Sequence, residues 1–323
     1  MVVINEKQMQ ISCFYFFRAF ACIGVIVHHY LYHILGHHLR IDGIFMQMFF
    51  FTSGYLIAMS LLRNSNWKQF AVKRIFRLVP VLWLSIGLVV LSRIGINNEY
   101  PHMRHLVFNM FALFLQDETT LIILTTWSLF TELIFYIIAA ISYRFAKTIK
   151  EVTLMMLLLG FIVHSYNYPS KYVIACSVGS VYFFYKNRQI SFVELFISLM
   201  CYVYIIVFPE IKYLFKVFDY NTLFYSIGLI FCISIINFYP KIGSGKIIKF
   251  FANISYSLYL LHFDFMQLIH NNFLFPVFKN MTYCSIAMLI LVSLVLIPIC
   301  YLVYRYVEKP CYEYGRKIAK RIG

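Results

Sequence analysis

The chain has 323 residues and a mass of 38.3 kDa. Its residues are 62% hydrophobic and only 13% charged, against about 25% charged in soluble domains, which excludes a water-soluble globule. The 28 Lys and Arg against 13 Asp and Glu leave a formal charge of +15. On a soluble domain that surplus would raise nucleic acid as a partner; here the orientation of membrane loops accounts for most of it, and no nucleic-acid partner is expected.

Apolar runs bounded by polar clusters predict spans at 13–35, 44–62, 70–92, 121–143 and 152–166, followed by 172–185, 192–208, 222–238, 254–273 and 283–304. At about 20 residues each, ten crossings use roughly 200 residues and leave only short loops. The first run has no small-residue cleavage site and is long enough to span, so a retained helix is expected in place of a signal peptide. With the N-terminus inside, 20 of the Lys and Arg residues fall on the cytoplasmic side. Seven fall outside, at Arg40, Arg93, Arg104, Lys171, Lys212, Lys216 and Lys279, and Arg18 lies within the first span. Segment 105–115 is apolar but only 11 residues long, a length suited to a re-entrant or interfacial piece. Counting it as a crossing inverts every later loop and puts 10 basic residues inside against 17 outside, contrary to the positive-inside bias. The expected fold is therefore an all-α, polytopic transmembrane helix bundle of about ten spans with both termini cytoplasmic, one membrane domain over 1–323. The eight cysteines lie in or beside these spans without a CxxC pair, so neither a disulfide framework nor a cysteine metal site is expected. Many of the 26 Tyr and 34 Phe lie near span ends, where aromatic belts sit, and they carry no evidence of a ligand.

A charge in hydrocarbon costs roughly 2.5 to 3.5 kcal/mol on insertion scales, which makes the few intramembrane polar residues functional candidates. Arg18 and His29 are 11 residues apart in the first span; that is about three turns, so they share a face about 16 Å apart, with His29 in the outer half. Glu132 falls near the middle of the fourth span, and Ser128, four residues earlier, shares its face and is a candidate hydrogen-bond partner. Arg74 and Arg77 lie on one face at the cytoplasmic end of the third span. They read either as topology signals that snorkel or as a fork for phosphates arriving from the cytoplasm. His28, His29, His33, His37 and His38 suggest a metal by their spacing, but no acidic or cysteine ligand is adjacent, and no metal is expected. His262 and Asp264 place a further pair of polar groups in the ninth span, either lining a cavity or making a structural contact.

Six stretches, in order, resemble the acyltransferase 3 family of bacterial integral-membrane O-acyltransferases. They are Arg18 through His29, with Arg18-Ala19-Phe20-Ala21; Phe49-Phe50-Phe51-Thr52-Ser53-Gly54-Tyr55-Leu56-Ile57; Lys73-Arg74-Ile75-Phe76-Arg77-Leu78-Val79-Pro80; the run from Trp127 to Tyr136; the run from Ser255 to His262; and Val307-Glu308-Lys309-Pro310. The chain departs from the family pattern at Tyr15, Gln47 and Asp264. The resemblance implies transfer of an acyl group, most simply acetyl, from cytoplasmic acyl-CoA to a hydroxyl of a surface polysaccharide or lipid-linked glycan, in the inner membrane of a bacterium. On that reading His29 is the general base and Glu132 its orienting partner, while Arg74, Arg77 and Arg18 hold the acyl-CoA. Ser53, Gly54, Trp127, Ser128 and His262 line the pocket. Acyl-CoA is then a co-substrate with no tightly bound cofactor, and the partners are the glycan and membrane lipids. Two other readings use the same polar residues: a glycolipid transporter or flippase without covalent chemistry, and a structural member of an envelope-assembly complex in which His29 and Glu132 tolerate Ala.

Overall fold

In the computed structural model of the chain, residues 2–35, 41–63, 67–111, 121–166, 170–211, 220–274 and 281–322 are described. Arg40, His37, His38, Lys212, Lys216 and Lys279 lie outside the described residues, as do positions 112–115 of the short apolar segment and the side chain of His33. No strand occurs among the described residues. The helices are α1 (Val2–Leu35), α2 (Asp42–Arg63), α3 (Trp67–Asn97), α4 (Met103–Met110), α5 (Trp127–Phe145), α6 (Ile149–Tyr166), α7 (Ser170–Lys186), α8 (Phe192–Ile211), α9 (Tyr220–Phe238), α10 (Lys246–Ile269), α11 (Met281–Val303) and α12 (Lys309–Ile322). Every expected span has a helix. Among the described residues, five stretches are long and apolar enough to cross a membrane by length and composition: Ser12–Tyr30, Asp42–Leu62, Trp67–Asn97, Leu124–Phe145 and Leu289–Ile322. Phe192–Tyr204 and Leu223–Phe238 are shorter apolar helical stretches.

Helix α4 has 8 residues, about 12 Å of rise, well short of a hydrocarbon core of about 30 Å. It is tied down by side chains: the Trp83 indole donates to the Met110 carbonyl at 2.9 Å, and Asn109 Oδ1 accepts from the Ile122 amide at 2.9 Å.

The chain divides into two compact units. The first comprises Met1–Phe17, Arg40–Phe70 and Thr131–Ile242. Its helices approach closely because small residues face backbone. A Cβ on Gly54 would lie 1.8 Å from the Cys176 carbonyl oxygen, and one on Gly179 would lie 2.0 Å from that of Phe51, so α2 and α7 meet backbone to backbone. Ser180 Oγ seals the contact by donating to the Gly54 carbonyl at 2.8 Å. Thr148 and Ser191 start α6 and α8, each with a Glu three residues on. The Glu151 carboxylate accepts from the Lys147 amide at 2.8 Å and that of Glu194 from the Ser191 amide at 2.9 Å, two capping arrangements that use up orphan N–H groups. Lys150 Nζ then reaches Glu194 Oε1 at 3.1 Å. The Lys147 amide holds the exposed Glu151 carboxyl below its usual range.

The second unit comprises Arg18–Leu39, Ala71–Phe130 and Gly243–Gly323. Its core draws Cys22, Ile26 and Tyr30 from α1, Val81 and Ile86 from α3, Leu258 and Leu261 from α10 and Cys300 from α11. Pro80 interrupts α3 and Pro298 α11, each removing one i to i−4 bond. Between α11 and α12 the chain makes a π-helical turn, Tyr304–Glu308, which re-aims the side chains that follow. Helix α12 packs on α3: the Tyr314 ring lies 5.7 Å from that of Phe76, and a Cβ on Gly315 would lie 2.4 Å from Phe76 Cβ.

Candidate active site

Two groups of polar side chains lie in the second unit, about eleven residues apart along α1. Toward the C-terminal half of that helix, His29 is half-buried, with its ring 5.4 Å from that of His262 and 5.1 Å from that of Phe263. The His262 side chain is fully enclosed, and its Nδ1–H donates to the Tyr259 carbonyl at 2.7 Å. A carbonyl only accepts, so the proton of a neutral His262 is fixed on Nδ1 and Nε2 keeps a lone pair, with no hydrogen-bond partner among the described residues. Thr125 Oγ1 donates to the Leu260 carbonyl at 3.3 Å, which anchors the segment before α5 against this stretch of α10.

The second group surrounds Glu308, which is 6% exposed. Both Arg18 and Arg77 act on its carboxylate electrostatically, and Ser257 Oγ lies 3.5 Å from Oε2. A carboxylate is expensive to bury alone, and two guanidiniums from α1 and α3 explain why it can sit here. Arg74 has other company: it lies within electrostatic range of Lys73, as do Arg316 and Lys320 of α12. Arg77 faces an acid, and Arg74, one turn earlier on α3, lies in a basic cluster.

The remaining expected site residues divide between the units. Trp127 is half-buried at the start of α5, and Ser128 is fully buried, with Oγ donating to the Thr125 carbonyl at 2.9 Å. In the first unit, buried Glu132 accepts a hydrogen bond from the Tyr136 hydroxyl. The partner expected for Glu132 is Ser128; the one found is Tyr136, a turn further along, while the Ser128 hydroxyl donates to the Thr125 carbonyl. Ser53 is half-buried, and Gly54 is packed against the α7 backbone. His262 and Asp264 also separate. Asp264 pairs with Arg93, Nη2 to Oδ1, at 2.5 Å, and the same nitrogen donates to the Ile122 carbonyl at 2.8 Å. Arg93, expected in an outer loop, belongs to α3.

Sequence reasoning missed two residues. Glu308 stands in a quoted motif without a role, although an acid that the fold buries needs a cation, and Arg18 and Arg77 supply it. Arg93 counts among the outer-loop charges by sequence, and its place on α3 beside Asp264 is visible only in the fold.

Among protein families, residues 12–305 match the acyltransferase domain known as acyltransferase 3. The chain belongs to the acyltransferase 3 family. The match covers nearly the whole chain. Together with helices of membrane-crossing length and apolarity, it makes the protein a multi-pass membrane acyltransferase. No curated protein and no solved structure matches the chain. Within the acyltransferase 3 domain the match takes in both polar groups up to Arg305, and Glu308 with α12 follows it.

Proposed function

We propose that this acyltransferase moves an acyl group, acetyl in the simplest case, from cytoplasmic acyl-CoA to a hydroxyl of a surface polysaccharide or lipid-linked glycan in the bacterial inner membrane. It does so through about ten spans with both termini cytoplasmic. The observation that carries this reading is that one compact unit holds a histidine pair, His29 and His262, about 16 Å along the same helix from Arg18, which with Arg77 surrounds Glu308, and also holds the basic cluster of Lys73, Arg74, Arg316 and Lys320. An acyl-CoA needs those two things: positive charge for its phosphates, and a base at the end of a long thin arm.

The basic cluster of Lys73, Arg74, Arg316 and Lys320 takes the nucleotide phosphates, with Arg77 and Arg18 next inward. The pantetheine arm lays the thioester beside His29. His29 removes the proton from the acceptor hydroxyl as its oxygen attacks the thioester carbonyl. The new C–O bond forms, the C–S bond breaks, and the proton passes from the imidazolium to the departing thiolate, so CoA leaves as the thiol. His262, held in one tautomer by Tyr259, packs against the base and fixes its ring.

Transfer of label from acetyl-CoA to the carbohydrate fraction of membranes tests this. Wild type incorporates label; His29→Ala inserts and incorporates none; Arg77→Ala raises the donor KM. If wild type incorporates no label from acetyl-CoA or from longer acyl-CoA donors, the reading fails.

A further inference from the structure

The second unit contains a cavity of about 430 Å³ at the C-terminal ends of α3 and α10, within the roughly 300–1,000 Å³ usual for small-molecule sites. In the proposed topology these ends face away from the cytoplasm. Arg93, Asn97, Glu99, Asp264, Gln267 and Asn271 supply its polar wall. Phe265 is part of an apolar lining.

Three features define what the cavity takes. Its charged lining is one cation against two anions, and the cation is already paired with Asp264, so phosphate or carboxylate is disfavoured. Its other polar groups are largely side-chain amides, each able to donate and to accept, which suits hydroxyls that do both. Asp264 supplies the third: its side chain is only 5% exposed, its Oδ1 is held by Arg93, and its Oδ2 has no hydrogen-bond partner among the described residues. A buried acceptor in that state calls for a donor, and here it borders a cavity. His262 and Phe263, whose rings contact that of His29, immediately precede Asp264 on α10.

The geometry points to this cavity as a binding site for a neutral sugar residue of the acceptor, with a ring hydroxyl donating to Asp264 Oδ2 and the C–H face of the ring against Phe265. The assignment rests on the acyl-transfer reading for its purpose but not for its binding. Asn271 is exposed at the rim and serves as the reporter. The probe is neutral oligosaccharide released from the producing cell's own surface polysaccharide, used on the full chain in detergent. Asn271→Ala and Gln267→Ala each raise the acceptor KM about fivefold, the scale of one hydrogen bond, and leave the KM for acetyl-CoA unchanged. In Asn271→Cys the same oligosaccharide slows maleimide labelling. The assignment is overturned if the acetyl-CoA KM rises in place of the acceptor KM, if oligosaccharide leaves labelling unchanged, or if phosphatidylglycerol alone slows it. If no acyl-CoA supports transfer by wild type and oligosaccharide still protects the cysteine, the saccharide site stands and the transfer reading falls. If transfer proceeds without protection, the reverse holds.

Discussion

Glu308 and Asp264 are both carboxylates that the fold buries, and each is tolerable only through an arginine distant in sequence. Removing one member of a buried charge pair leaves the other uncompensated, at about 3–5 kcal/mol. Glu308→Ala is therefore expected to lower thermal stability by about that amount, read as loss of helical circular dichroism on heating the detergent-solubilised protein. An unchanged melting temperature would mean that Arg18 and Arg77 do not depend on it. For Asp264→Asn a smaller loss, about 2–3 kcal/mol, is expected, because Arg93 keeps the Ile122 carbonyl and part of its exposure to water. Restoration of the melting temperature by combining Asp264→Leu with Arg93→Met would separate the ion pair from mere packing. These residues also mark where sequence reading stops. Arg74, Arg77, His29 and Glu132 stand out from sequence alone because charge and imidazole are costly in apolar runs. The partner of Asp264 does not, since it lies 171 residues earlier, whereas the tempting neighbour His262 is turned to a backbone carbonyl of its own helix.

At the scale of whole helices, close approach replaces large side chains as the means of packing. Gly54→Ala puts a methyl where the Cys176 carbonyl already is, with an expected cost at the upper end of about 1–3 kcal/mol. Gly87, whose added Cβ would meet nothing within 4 Å, is the control, and its Ala variant should melt with wild type. The existence and order of the helices were legible because length and apolarity suffice to define them. The partners of α2 were not, since a Gly in an apolar run looks the same whether it faces a lipid, a ligand or a carbonyl. Helix α12 is the opposite case: strongly basic, it reads as a cytoplasmic tail, yet Gly315 and Tyr314 dock it on Phe76 and bring Arg316 and Lys320 to Lys73. Arg316→Glu reverses one charge in that cluster and is expected to raise the acyl-CoA KM about tenfold with little effect on the acceptor KM, measured by initial rates at varied donor.

For the molecule as a whole, the proposed orientation makes a direct statement about sides. Glu313 is exposed on α12. A cysteine placed there should resist an impermeant maleimide in intact cells and react once the membrane is opened, whereas labelling of intact cells would put the tail outside. Two contacts already described bear on the same question through parity. Side chains that touch outside the hydrocarbon lie on one side of the bilayer, so the chain between them crosses an even number of times. Lys150 and Glu194 touch, hence α6 and α7 either both cross or both stay, and the orientation of everything after them is indifferent to which. Phe76 and Gly315 touch as well. The ten-span scheme places eight crossings between them, an even number. A scheme that sends 105–115 through the membrane as an additional crossing places nine.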